Sequence, residues 1–379
     1  GIRDLVRSRG LGDVYKRQFS RNAFPEITRK PLKKNLPVLL VYMIFFPGLT
    51  QIIYHGYESL GMTEWLPMVG LTTALVVYCG WKYAVFLIPV RLLTIYLDLG
   101  NQMDFLLNLL IVSGTAGVYA FLGFMGERYY LKTGRFRDLR SAYSLALLIL
   151  IGALIVPGPV FLLLEASGYP FFHKTFHLIL MSVIGSVAGI LHLTPFLLGF
   201  LFPVVEQLFS GKKLPFPALS RIRAGIQKRS KKEMAILCLE IAFNLLVLFL
   251  ALLPSISEAL LGSHGLIYFT FLPVIWVGLN YPWFITVLTV FVVDTLIILG
   301  AAFAGYEFFG PYELQILVIA ISLVGYILAL VTTDQRRLVG LLQGEKEKYH
   351  SVITQTDEGL VLIDNGGSIL EWNQAMESI

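Results

Sequence analysis

The chain has 379 residues, 56% of them hydrophobic and only 15% charged, and its mean hydropathy is +0.72. A soluble domain is about one-quarter charged, whereas here apolar runs of roughly 20 residues could each cross about 30 Å of hydrocarbon as a helix; a soluble enzyme is excluded, and so is a membrane β-barrel, whose strands alternate in polarity. The net charge of +5 does not point to nucleic acid, because Lys and Arg cluster in short segments between apolar runs, the positive-inside pattern of membrane topology.

Residues 1–18, Gly1 to Gln18, contain no apolar stretch of the signal-peptide kind. They read as translated adapter sequence and are set aside from the fold. Residues 19–35 form a basic segment with Arg29, Lys30, Lys33 and Lys34. Ten apolar runs follow, at 36–54, 65–80, 82–98, 105–126, 141–164, 175–205, 233–254, 266–280, 282–304 and 312–333. They predict an all-α polytopic membrane helix bundle of about ten spans over residues 36–333.

The second and third runs meet at Gly80-Trp81-Lys82, the spacing of a tight hairpin. The eighth and ninth meet at Asn280-Tyr281-Pro282, where proline disfavours helix in the residue before it. Basic clusters precede the first run and follow the fourth (Arg128 to Arg140), the sixth (Lys212 to Lys232) and the tenth (Arg336, Arg337). With ten spans all four lie on one side, so both termini are expected to be cytoplasmic in a bacterial inner membrane.

Ionisable and aromatic residues inside or at the edge of the runs are the candidate sensing positions. Trp65 and Pro67 fall at the outer membrane surface, where Trp is usually an anchor but also suits the roof of a ligand pocket. Arg91 lies mid-run in the third span, suited to snorkelling, to pairing with an acid such as Asp98, or to a ligand. His192 is one turn from Pro195. His177 lies on the same face but about 22 Å away at 1.5 Å per residue, too far to share a metal ion. Glu240 and Asn244 share a face of the seventh span, and Asp294 is central in the ninth. An interior polar network holding helices together is the favoured reading of these three. Cys79 and Cys238 fit no metal spacing and read as small core residues. No nucleotide-binding, zinc-protease or serine-hydrolase motif occurs, so neither a catalytic residue nor a cofactor is indicated. Gly211-Lys212-Lys213 lacks the rest of a phosphate-binding loop.

Beyond Thr333 the composition turns polar. Asp334 to His350 carries Leu338, Leu341, Leu342 and Tyr349 at helical spacing, which predicts a connector helix (334–350), either able to pair with its copy in a homodimer or simply a solvated helix end. Residues 351–379 then hold a short apolar run, Leu360 to Ile363, and a turn at Asp364-Asn365-Gly366-Gly367 of the kind that needs positive φ. Ser368 to Trp372 reads as the return strand, and Asn373 as a cap for a helix at Gln374.

The order Asp357-Glu358-Gly359, Asp364-Asn365-Gly366-Gly367 and Trp372-Asn373-Gln374-Ala375 resembles the opening third of a PAS sensor domain, with Asp364, Gly367 and Asn373 as landmarks. The segment stops at Ile379, short of the roughly 100 residues of a small domain. It reads as a truncated α+β piece. The membrane half is also similar to a known family. Trp65-Leu66-Pro67, Gly70, Gly80-Trp81-Lys82-Tyr83, Gly185 to Leu191, Pro195, Phe271-Leu272-Pro273, Trp276, Gly278 and Gly310-Pro311 resemble, in that order, the first-described membrane-associated sensor family (MASE type) over roughly residues 36 to 335. That family usually has an Asp after the glycine of the sixth span. Ser186 stands there instead, and if the acid takes part in sensing, this chain senses differently or not at all.

Together the resemblances imply a sensory input module of a sensor histidine kinase or of a cyclic-di-GMP enzyme, with its output domain beyond residue 379. The expected partners are the lipid bilayer, a stimulus ligand that the sequence does not name, and a second copy of the chain. A transporter or membrane enzyme with an accessory cytoplasmic domain is the alternative; the lack of a recognisable internal repeat counts against it.

Overall fold

A computed structural model describes residues 32–60, 66–97, 104–126, 151–155, 175–210, 230–251, 264–304, 312–355, 358–364 and 366–377. Within these, the apolar runs are helical over most of their described residues, with breaks at Gly80 and Pro282, and the fifth is described only at 151–155. Most of the fifth run, Trp65 and the basic segments at 127–140 and 211–229 lie outside the described residues.

Helix α1, Leu32–Leu60, carries Pro37 and Pro47; membrane helices tolerate such breaks when neighbours re-satisfy the freed backbone groups. Helix α2, Pro67–Cys79, begins on a proline, whose missing N–H costs nothing in the first turn. It ends at Gly80, whose φ of 110° is open to glycine and strained for other residues. A 3₁₀ turn, Trp81–Phe86, leads into α3, Leu87–Leu97. The break at Gly80 is where the sequence places it, but α2 and α3 do not pack along each other as a hairpin. Trp81–Phe86 lies against α2 and α4 (Phe105–Gly126), and α3 packs on α4 and α1.

Helix α5, Thr175–Phe196, passes through a π turn at Leu197–Leu201 into α6, Phe202–Ser210. Helix α7 is Lys231–Ala251. A second 3₁₀ turn, His264–Thr270, opens α8, Phe271–Asn280, and α9 runs Trp283–Ala304. Between α8 and α9, Tyr281 is extended (φ −115°, ψ 162°), as the residue before Pro282 must be. Helix α10, Glu313–Gln355, is unbroken for 43 residues.

Among the described residues, five helical stretches are long and apolar enough to cross a membrane: Asn35–Ile53, Phe105–Met125, Ile179–Ser210, Trp283–Ala301 and Glu313–Ser351. The chain is a helical membrane protein. One core gathers α1 to α6 around Tyr42, Phe46, Leu71, Leu75 and Phe202; a second joins α8, α9 and α10 around Val274, Val290, Ile297 and Ile321. Ala188, Ile298 and Val318 bridge them from α5, α9 and α10.

Helices α2 and α5 approach each other backbone to backbone. A Cβ on Gly70 would collide with the Gly189 carbonyl, and one on Gly189 with the Leu66 carbonyl. The Leu66 amide donates to the Gly185 carbonyl at 3.3 Å, and the Thr194 hydroxyl to the Gly70 carbonyl at 2.9 Å. Gly185 and Gly189 are a small-xxx-small pair of the kind that lets membrane helices touch backbone to backbone.

The chain divides after Leu330 into a membrane unit and a smaller unit, Val331–Ile379. In the latter, β1 (Val361–Ile363) and β2 (Ile369–Trp372) pair antiparallel, Val361 with Trp372 and Leu362 with Glu371, and the register shifts before the Ile363–Ile369 pair. Asp364 closes the turn: its carboxylate accepts the amides of Gly366 and Ser368, both at 2.8 Å. Gly367 supplies the positive φ, 85°. Asn373 accepts the Met376 amide at 3.2 Å, capping the helical turn α11 (Gln374–Glu377), and clasps β1 by accepting the Leu360 amide and donating to the Glu358 carbonyl.

Candidate functional site

Polar groups at membrane depth are expensive, so the interior of the apolar unit is where function would leave a mark. Pro195 lies inside α5 and has no N–H to give the carbonyl four residues back. That carbonyl, on Leu191, accepts instead from the Tyr326 hydroxyl of α10 at 2.9 Å. On the next residue of α5, His192 Nε2 lies 3.1 Å from Thr295 Oγ1 of α9. The Thr295 proton goes to the Phe291 carbonyl at 2.7 Å. Its oxygen therefore accepts from His192, which fixes the proton on Nε2.

The aromatic contacts follow the same seam. Phe196, one turn beyond His192, stacks on Phe291 with centroids 3.9 Å apart and planes within 6°, and His192 lies against the same ring at 5.0 Å. Beside Thr295, the carboxylate of Asp294 accepts from the Ser322 hydroxyl of α10 at 2.7 Å. Its other oxygen is buried with no hydrogen-bond partner among the described residues. Ser322 and Tyr326 are four apart and share a face of α10. Leu191 and His192 of α5, Asp294 and Thr295 of α9, and Ser322 and Tyr326 of α10 thus tie three helices together.

Against known proteins, the chain matches no family model, no curated protein and no solved structure.

His192 and Asp294, singled out in the sequence as separate candidates, belong to one seam, His192 pairing with Thr295 of α9 and Asp294 with Ser322 of α10. Ser186 is fully buried on α5, and its hydroxyl has no partner among the described residues. Gln315, two turns before Ser322 on α10, is also buried, with neither amide atom partnered among them. Glu240 and Asn244 are not part of the tie: Glu240 is exposed, and the Asn244 amide donates to the Glu240 carbonyl of its own helix at 2.8 Å. Cys238 is likewise exposed and is not the core residue expected, whereas Cys79 is half-buried and packs against the main core.

Pro67 is buried at the start of α2, against Gly189. Trp65, Asp98 and the side chain of His177 fall outside the described residues. Arg91 lines a separate cavity between α1, α2 and α3. No three His, Cys, Asp or Glu side chains converge as a metal site among the described residues.

The sequence reading missed Tyr326, Ser322, Thr295 and Gln315. Pro195 was a usable signal, since it predicts an orphaned carbonyl at Leu191. Nothing local says that a tyrosine 135 positions on would fill it.

Proposed function

We propose that this chain is the membrane-embedded sensory input module of a bacterial signal-transduction protein. In this reading it has about ten spans with both termini cytoplasmic, and a stimulus at the outer face or within the bilayer biases two arrangements of the bundle. The segment from Glu358 onward is the start of a cytoplasmic PAS domain. Its output, a histidine kinase or a cyclic-di-GMP enzyme, belongs to sequence after Ile379.

One observation carries the reading. Helix α10 contributes Ser322 and Tyr326 to the intramembrane tie and continues as one helix to Gln355. Any change in the tie acts on the same helix that bears Leu338, Leu341 and Leu342, all about half exposed. An exposed apolar stripe on a polar helix suits pairing with a second copy of the chain. The distribution of basic residues supports the orientation.

The test uses the full chain in liposomes, with Cys79→Ser and Cys238→Ser and a spin label on Leu342→Cys. A sensor of this design gives a label–label distance from a dimer, and Asp294→Asn or Tyr326→Phe redistributes it. If the label shows no dimer distance or ignores both substitutions, while liposomes display saturable solute flux, the transporter reading replaces this one.

A further inference from the structure

We propose that the cavity beside Arg91 is a recognition site for a small organic monoanion with a short apolar body. The inference does not depend on signalling, since binding is measured whether or not the chain relays anything.

The cavity, about 160 Å³, opens between α1, α2 and α3. Thr50 and Gln51 line it from the later part of α1, Met68 from the first turn of α2, and Arg91 and Thr94 from the last two turns of α3. The later part of α1 and the first turn of α2 meet there, so the cavity sits on the side where α1 leads to α2. With a cytoplasmic N-terminus, that is the outer side.

Its chemistry is asymmetric. The guanidinium lies near Tyr42 and Tyr119, and among the described residues no carboxylate pairs with it. A cation in an apolar helical unit is costly unless an anion meets it. The Tyr42 hydroxyl is engaged with Thr72 at 3.3 Å, and the Thr72 proton goes to the Met68 carbonyl at 2.8 Å. Both threonines facing the cavity have also spent their protons on their own helices, Thr50 on the Phe46 carbonyl and Thr94 on Val90, each at 2.8 Å. They offer acceptor oxygens only. The donors left to an anion are the guanidinium and the Gln51 amide.

One fixed positive charge selects one negative charge. The planar fork of Arg fits a carboxylate or phosphodiester in bidentate fashion. Phe46 and Met68 supply an apolar wall, and a liquid water occupies about 30 Å³, so the space holds the equivalent of about five waters. A carboxylate of about six carbons, or the headgroup phosphate of an anionic lipid, presents this shared chemistry.

The test uses the full chain in phosphatidylcholine nanodiscs, with hexanoate and its neutral isostere hexanamide as probes read by ligand-observed NMR. Hexanoate is expected to bind, hexanamide to bind at least about tenfold more weakly, and Arg91→Gln to lose hexanoate by a similar factor. Glu240→Gln, exposed on α7 and outside both the tie and the cavity lining, serves as the control and leaves binding unchanged. If phosphatidylglycerol in the disc blocks hexanoate, and native mass spectrometry finds it retained by wild type but not by Arg91→Gln, the monoanion is a lipid headgroup. Equal binding of the two probes overturns the proposal, as does an Arg91→Gln variant that matches wild type in both arms. Should Arg91→Gln fail to fold, Gln51→Leu decides the matter by the same comparison.

Discussion

The Tyr326 hydroxyl donates at 2.9 Å to the Leu191 carbonyl, the one backbone acceptor that Pro195 deprives of its helical amide. A defect in one helix is thus repaired by a side chain from another. Tyr326→Phe is expected to destabilise the membrane unit by about 1 kcal/mol, the scale of interhelical hydrogen bonds in bilayers. Pro195→Ala restores an amide, so it should recover most of that loss in the double variant. Reversible unfolding in mixed micelles measures both; additive losses in place of rescue would show that the bond does not serve this purpose.

Gly189→Ala is expected to cost at least about 2 kcal/mol, because its Cβ meets a backbone carbonyl that no rotamer change can move. Gly117→Ala is the control. Its Cβ would meet nothing within 4 Å, and alanine favours helix by up to about 1 kcal/mol. Thermal unfolding in detergent should separate the two in opposite directions.

Asp294→Asn keeps an oxygen for Ser322 and should hold stability within about 1 kcal/mol of wild type. Ser322→Ala leaves the buried carboxylate with no donor among the described residues, at a cost of about 1–3 kcal/mol. The Asn variant should then suppress much of the damage of Ser322→Ala, because a neutral amide is cheaper to leave buried than a carboxylate. A double-mutant cycle on unfolding free energies tests this.

In the smaller unit, Asp364→Ala removes the acceptor of two turn amides, and Asn373→Ala removes the clasp on Leu360 and Met376. Amide exchange on the full chain should accelerate by about tenfold at Gly366 and Ser368 in the first variant and at Leu360 and Met376 in the second, about 1.4 kcal/mol each. Unchanged exchange would mean that neither contact persists in solution.

The proposed orientation predicts the sidedness of two exposed positions. In a background free of native cysteines, Asp104→Cys should react with a membrane-impermeant thiol reagent added outside intact cells. Lys346→Cys should react only after the membrane is opened. The reverse pattern would overturn the topology.

Local features were legible wherever one residue dictates its own backbone. Pro282 extends Tyr281, Gly80 ends α2, and Asn373 caps the turn that follows it. Contacts between distant helices were not. Ser322 and Tyr326 look like any polar residues in a membrane helix, and their partners lie 28 and 135 positions away. Glu240 and Cys238 were misplaced for a related reason. A run that is apolar all round carries no period to separate the bundle-facing side from the other, so Glu240 on α7 read as interior although it is exposed.

The meeting of Gly70 and Gly189 bears on how the membrane unit can move. Two backbones in contact, joined by the Leu66–Gly185 and Thr194–Gly70 hydrogen bonds, have no side chains whose rotamers could absorb a sliding step. Any sliding of α2 along α5 would therefore have to break these contacts. Displacement of α5 would carry α2 along with it, and the freedom to rearrange is left to the far side of α5, where side chains alone, the Phe196–Phe291 stack and the bonds of His192 and Tyr326, meet α9 and α10.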